Sequence, residues 1–327
     1  MYRVRGILPL AAVMLASGIG GVSAQEPDES AGSLTGIVAE DGTVTPISEN
    51  VRVFPVTRNA ESCVYDPERG MILAVNRAAP PREKPDDGFV SFIGSDGSVA
   101  TERWVGEDGE APRLNQPYGS AIAGGVLYVA DRNGGTSKKD PTRAVLRMYD
   151  LATGAAKGEV EVESPGLNDI AVAADGTVYA TQTSAGGKNA GPETWKVFEI
   201  TPDGGVSVLI EGEPLNQPNG IEMDGEGNIV VVNLGDARVL TFDRKGELLK
   251  SEEAAQPGSD GLVILPDGTK YVNSLRQGGV SKIAPGAPAE LIATGISGSA
   301  SMCHDAGANQ LVIPMGQNDA LAFVPLN

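Results

Sequence analysis

The stretch "LNQPNGIEMDGEGNIVVVN", Leu215 to Asn233, decides the fold, because its opening is written twice. The other copy, "LNQPYG", runs from Leu114 to Gly119, 101 residues earlier. Behind Pro218 a short semi-apolar run is followed by a Gly-containing turn and then by the apolar run Ile229–Val232. That is the signature of two short strands joined by a hairpin. Proline blocks continuation of the structure before it, so the shared tetrapeptide reads as a corner that feeds the chain into a strand.

Working outward, four more segments fit the same template, making six: "ESCVYDPERGMILAVN" from Glu61, "YGSAIAGGVLYVAD" from Tyr118, "NDIAVAADGTVYATQ" from Asn168, the segment from Asn219, "DGLVILPDGTKYVNS" from Asp260 and "ASMCHDAGANQLVIP" from Ala300. Their starts lie 57, 50, 51, 41 and 40 residues apart, the size of a four-stranded propeller blade. The chain carries 43 Gly and 22 Pro and shows no sustained helical periodicity. The expected fold is all-β, a six-bladed β-propeller with four-stranded blades. The sixth repeat is short, so "VRVFPVT", Val51 to Thr57, is expected to supply its outer strand and close the ring. A sandwich with accidental internal similarity is the competing reading, and the regular spacing disfavours it.

The first 24 residues read as a secretory signal peptide: Arg3 and Arg5, an apolar stretch from Ile7 to Val22, and a small-residue cleavage site ending at Ala24. A retained anchor is the alternative, disfavoured by the Gly pairs and Pro inside the run. Residues 25–50 read as a flexible N-terminal segment and 51–327 as the propeller, in a secreted or periplasmic protein. A net charge of -18 without a basic run argues against nucleic acid and anionic membrane surfaces as partners. The two cysteines, Cys63 and Cys303, are either one disulfide or two buried thiols. No Cys or His spacing suggests zinc.

The first residues of the six repeats form a column: Glu61, Tyr118, Asn168, Asn219, Asp260 and Ala300. Inner strands of a propeller surround its axis, so equivalent positions make a ring. Carboxylates are costly to bury there unless paired or metal-bound. Glu61, Asn168, Asn219 and Asp260 offer four hard oxygen donors, a set that suits Ca²⁺ or another divalent cation. Taken singly, Asn-Gly and Asp-Gly are common turn dipeptides, but Glu61 stands where no turn is signalled.

This ordered set, with "PNGIEMDGEGNIVVVN" and "SDGLVILPDG", resembles the senescence marker protein/gluconolactonase/luciferin-regenerating-enzyme family over about residues 50–327. The arrangement is similar to that of diisopropyl fluorophosphatase and, more distantly, of paraoxonases. The resemblance implies a central Ca²⁺ or other divalent ion and hydrolysis of lactones or phosphoesters. Glu61, Asn219 and Asp260 match the family's ligands, and Asn168 the additional Asn of four-ligand members. The chain departs at "AESCVYD", where Glu-Gly-Pro is usual, and at Tyr118, which fills the second-blade position, where we can assign no family role.

Three long loops follow the second strands, "NRAAPPREKPDDGF" (Asn76–Phe89), "DRNGGTSKKDPTRA" (Asp131–Ala144) and "TQTSAGGKNAGPETW" (Thr181–Trp195). They lie on the face where the inner strands begin, and so are expected to wall a pocket, with Trp195, Arg132 and Asn133 as candidate substrate contacts. His304 falls roughly 13 Å along its strand from the ring at about 3.3 Å per residue and reads as structural. The expected activity is metal-assisted opening of a lactone or related ester. Asp260 would serve as general base or nucleophile, Asn168 and Asn219 would orient substrate, and Glu61 would anchor the ion. A non-catalytic propeller binding a partner or ligand in the exported space is the alternative, and a strictosidine-synthase-like or lyase propeller a third reading.

Overall fold

The second strand of each repeat is an almost unbroken apolar run, and the structure shows why. In Met71–Asn76, Val178–Gln182, Ile229–Asn233 and Gln310–Met315 nearly every residue is buried, because neighbouring blades cover both faces. A computed structural model describes residues 36–38, 43–78, 87–106, 114–134, 139–185 and 190–326. The proposed signal peptide lies outside the described residues.

Six four-stranded antiparallel sheets form the blades. Blade one consists of Ala60–Asp66, Met71–Asn76, Phe89–Ile93 and Val99–Val105, and blades two to five repeat this up-and-down order along the chain. Blade six takes Cys303–Asp305, Gln310–Met315 and Ala320–Pro325 from the C-terminal side and Arg52–Phe54 from the N-terminal side. Phe54 pairs with Leu321, Val53 with Ala322 and Arg52 with Phe323, the closure expected for "VRVFPVT". Helix is confined, among the described residues, to the single 3₁₀ turns Pro192–Thr194 and Gly316–Asn318.

Six apolar clusters hold the blades together, one at each junction. Leu73, Phe92 and Leu114 join Leu127 and Tyr149 between blades one and two. Leu311, Ile313 and Val324 join Tyr271 and Val280 between blades five and six. Fully burying each such side chain stabilises the fold by roughly 1.5–3 kcal/mol. Outer strands, such as Leu248–Glu253, are largely exposed. The lead-in segment is tied to the outer strand of blade five, where the Ser48 N–H donates to the Thr294 carbonyl at 3.1 Å and Asn50 Nδ2 to the Ile292 carbonyl at 3.2 Å. Cys63 and Cys303 are disulfide-bonded, joining the inner strands of the first and last blades.

Polar residues ending the second strands hold the corners that enter the inner strands. Asp131 accepts from the Asn115 and Gln116 N–H groups at 3.0 and 2.8 Å. In the twin corner Asn233 accepts from the Asn216 N–H at 3.1 Å, and in blade one Asn76 accepts from the Arg58 N–H at 2.8 Å. The repeated tetrapeptide is therefore one corner seated twice on the same kind of peg. Asp131 is also paired with the buried Arg147 at 2.8 Å.

Candidate metal centre

The column residues stand at a β-bulge that recurs in every blade. Ala60 pairs with Asn76 and Ser62 with Val75, leaving Glu61 over. The same register step occurs between Pro218 and Ile221 and between Ser259 and Leu262, around Asn219 and Asp260. In blade three the Asn168 N–H donates to Thr181 O and the Thr181 N–H to Asp169 O, so two residues again oppose one. Tyr118 and Gly119 face Ala130 in the same way. A bulge bends its strand and re-aims a side chain; here it does so six times around one axis. "NG" and "DG" thus mark bulges rather than turns.

Hydrogen bonds between blades link these positions into a ring. The carbonyl of Glu61 accepts from the Ser301 N–H at 3.0 Å, and that of Asn168 from the Gly119 N–H at 2.8 Å. The Tyr118 carbonyl accepts from Ser62 Oγ at 2.7 Å, that of Asn219 from Thr181 Oγ1 at 2.5 Å and that of Ala300 from Asn273 Nδ2 at 2.8 Å. Each donor comes from the preceding blade. At the remaining junction Gly220 lies against the Asp260 carbonyl, and a Cβ there would also sit 2.9 Å from Val232 Cγ2.

On this ring the structure brings Asn219 and Asp260 into direct contact, Nδ2 to Oδ2 at 3.2 Å. Glu61, Asn219 and Asp260 are all buried. Of the column residues, four present a buried oxygen with no hydrogen-bond partner among the described residues: Glu61 Oε2, Asn168 Oδ1, Asn219 Oδ1 and Asp260 Oδ1. They belong to the four residues expected as cation ligands. Leaving buried acceptors unsatisfied costs roughly 1–3 kcal/mol each, more when charged, and a hard cation relieves all four together. Among the described residues no three His, Cys, Asp or Glu side chains form a metal-holding group by themselves.

The electrostatics point the same way. Burial drives the Glu61 carboxyl well above its usual range, Arg77 opposes this, and Asp260 and Asp169 reinforce it. Burial lifts Asp260 to about 7, with Asp169 adding to the rise while Arg77 and Asn219 oppose it.

Asp169, the residue after Asn168, escaped the sequence reading. Its Oδ2 accepts from the Ile221 N–H of blade four at 3.3 Å and from Ser301 Oγ of blade six at 3.0 Å, so it lies across the axis. Burial lifts it to about 7. The available signal was "ND" at a position where the other repeats carry Gly or Ser. Beyond Asp169 a cavity of about 390 Å³, lined by Glu222, Tyr65 and His304, continues between the inner strands. His304 lies 3.3 Å from Asn309 and lines this cavity rather than the ring.

At the ring's other side Tyr118 carries two guanidiniums over its ring. Arg77 Cζ lies 5.1 Å and Arg132 Cζ 3.7 Å from the centroid, and Arg132 Nη1 donates to Tyr118 Oη at 2.7 Å. Arg77 Nη1 approaches Glu61 Oε1 at 3.9 Å. Of the candidate substrate contacts, Arg132 sits beside the column, Trp195 Nε1 is buried without a partner, and Asn133 Oδ1 is engaged by Arg147. Parts of the three expected wall loops, residues 79–86, 135–138 and 186–189, lie outside the described residues.

No family model and no curated protein matches the sequence. Solved structures do match its fold. A gluconolactonase from Xanthomonas campestris superposes with a TM-score of 0.56 at 16% identity, covering 85% of this chain and 90% of that one. A luciferin-regenerating enzyme gives 0.58 at 13%, covering 84% and 95%. Virginiamycin B lyase from Staphylococcus aureus gives 0.57 at 11%, covering 85% and 99%. The fold is thus the six-bladed propeller of gluconolactonases and luciferin-regenerating enzyme, as the sequence resemblance implied, and a lyase superposes on it as well.

Proposed function

We propose that this protein is an exported, divalent-cation-dependent hydrolase that opens a lactone or related ester at the central ring. One observation carries the reading: four buried oxygens without partners, one from each of blades one, three, four and five, on residues the sequence had already aligned. Glu61, Asn168, Asn219 and Asp260 would hold the ion, and Ca²⁺ suits their hard oxygen donors. Held by these four residues, the cation would supply Lewis-acid polarisation of the acyl oxygen and stabilisation of developing negative charge.

The chain's own groups supply the rest. Asp260 serves as general base toward water, or as nucleophile, and its neighbour Asn219 fixes its carboxylate by the Nδ2 contact. Asn168 is held by donation from its Nδ2 to Thr183 Oγ1 at 2.9 Å, which turns its Oδ1 away from that bond and leaves it free for ion or substrate. Glu61 anchors the ion against Arg77. Burial of the ring excludes bulk water, which strengthens each of these interactions. Export is supported by the signal-like first 24 residues and by the Cys63–Cys303 disulfide.

The test is to add a chelator and then Ca²⁺ while following thermal stability and the hydrolysis of simple aldonolactones and aryl esters. Chelation is expected to lower Tm and abolish turnover, and Ca²⁺ to restore both. Restored stability with no turnover on either substrate class would favour a binding module, and indifference to both additions would remove the cation site.

A further inference from the structure

In the described part of the mouth two guanidiniums, Arg77 and Arg132, keep buried donors that no described residue accepts from. Arg132 is partly buried, and its polar side-chain partner among the described residues is the Tyr118 hydroxyl rather than a carboxylate. Among the described residues its buried Nε has no hydrogen-bond partner, and neither has the Nε of Arg77. The Arg77 side chain is 12% exposed; its Nη2 donates to Asn59 Oδ1 at 3.1 Å, and its carboxylate neighbour, Glu61, stands at the outer limit of ion-pair distance. A guanidinium withdrawn from water without its hydrogen bonds is expensive, and its planar fork fits carboxylate and phosphate oxygens in pairs.

The placing of Arg132 is built in by its neighbour. Its guanidinium lies flat against Gly166, two residues before Asn168, where a Cβ would stand 2.8 Å from Cζ and 2.9 Å from Nη2. The arginine therefore spans from blade two to the approach of blade three's ligand. Charge points the same way. Glu61 faces Arg77 and Arg132, Asp260 faces Arg77, and a dication held by the ring would leave this group of charges net positive.

We propose that Arg132 and Arg77 form an anion subsite beside the ring, and that the substrate is a lactone or ester bearing a negatively charged substituent, a carboxylate or a phosphate. This rests on the hydrolase reading for the reacting group, but the anion subsite is testable without turnover. The ring engages the acyl group, and the two guanidiniums engage the charged substituent and fix the orientation of the molecule. Tyr118, the column residue of blade two, is the platform on which both arginines rest.

Two comparisons on the Ca²⁺-loaded protein test this. In the first, kcat/KM is measured for glucono-1,4-lactone against glucaro-1,4-lactone, and for glucono-1,5-lactone against its 6-phosphate. Each pair differs only at one end, where one member carries a carboxylate or phosphate in place of a neutral hydroxyl-bearing group. In the second, the ring-opened acids gluconate, glucarate and 6-phosphogluconate are titrated calorimetrically at fixed free Ca²⁺. At least one anionic member is expected to be favoured by about tenfold, equivalent to about 1.4 kcal/mol. Which member is favoured separates carboxylate from phosphate.

Arg132→Gln should bring the preference close to one, and Arg132→Lys should keep part of it. Gly166→Ala, which displaces the guanidinium without removing its charge, should also lose it, and it serves as the deciding variant if Arg132→Gln does not fold. Equal handling of neutral and anionic partners in both comparisons would overturn the subsite, as would a preference that survives Arg132→Gln or Gly166→Ala. If no lactone is hydrolysed, the hydrolase reading fails alone and the titration decides: tighter binding of a charged acid upholds the subsite, and equal binding overturns it.

Discussion

Asp260 meets two opposing demands, since burial and Asp169 raise its carboxyl to about 7 while the proposed chemistry needs it ionised. A dication on the ring reconciles them by favouring the charged form. Asp260→Asn keeps an oxygen on the ring and removes the base. It is expected to retain a Ca²⁺-dependent rise in Tm, reduced in size, while turnover falls by about 10²–10⁴-fold. Near-normal turnover would take the catalytic role away from Asp260. A pH dependence follows from the same burial. Asp169 and Asp260 stand at about 7 in the folded protein, against about 4 in an unfolded chain. Between those values the cation-free native state binds more protons at these two groups than the unfolded state does, so their contribution to stability is fully present below about pH 4 and is lost as pH rises through 7. In chelator, Tm should therefore fall between about pH 5 and pH 8, and the gap to the Ca²⁺-loaded protein should widen. Asp260→Asn should flatten part of that slope, which separates it from the general repulsion of a chain of net charge -18. A chelated Tm that rises over this range would contradict the account. The four ring oxygens were legible because each opens a repeat. Asp169 and the Arg77–Tyr118–Arg132 stack were not, because a bulge decides where a side chain points and its register is not written in residue type.

The bulge at the head of each inner strand turns a repeat into a ligand. Without it, strict alternation would fix each column side chain by the register of its pair; the extra residue frees it to be aimed afresh. The second residue of each bulge is constrained in turn: a Cβ on Gly119 would lie 2.5 Å from Asp169 Cα, and one on Gly261 3.0 Å from Ser301 Cα. These glycines let neighbouring backbones touch. Gly220→Ala is expected to cost about 1–3 kcal/mol of stability, as overpacking does. It should also weaken Ca²⁺ binding, because the new methyl presses on the Asp260 carbonyl. Calorimetric Ca²⁺ titration beside a denaturant melt checks this, and unchanged affinity with lowered stability would show that the ring is not set by the bulge. Strand pairs and their spacing were readable from the period. The pegs at the ends of the second strands, Asn76, Asp131 and Asn233, were quoted in the repeats but could not be told from turn residues until their hydrogen bonds to the corners were seen.

Six blades around an axis leave one seam, and this chain fastens it twice. Arg52–Phe54 completes blade six, and the Cys63–Cys303 bond ties blade six to blade one across 240 residues of sequence. Replacing both cysteines with Ser should cost about 2–5 kcal/mol, measured by denaturant melts with Ca²⁺ present. The Cys63→Ser/Cys303→Ser protein should still bind Ca²⁺, because the ring carbonyls are held by hydrogen bonds. A loss of binding would place the ring's rigidity in the covalent link instead. The seam also governs the order of assembly. The strand at Arg52–Phe54 is made early and its partner, Ala320–Pro325, among the last, so blades one to five can stack as they emerge while the earliest strand waits with an unsatisfied edge. A ribosome that stalls before residue 320 releases a horseshoe with two sticky flanks, and such fragments, rather than full-length chains, are where this protein's aggregates should begin.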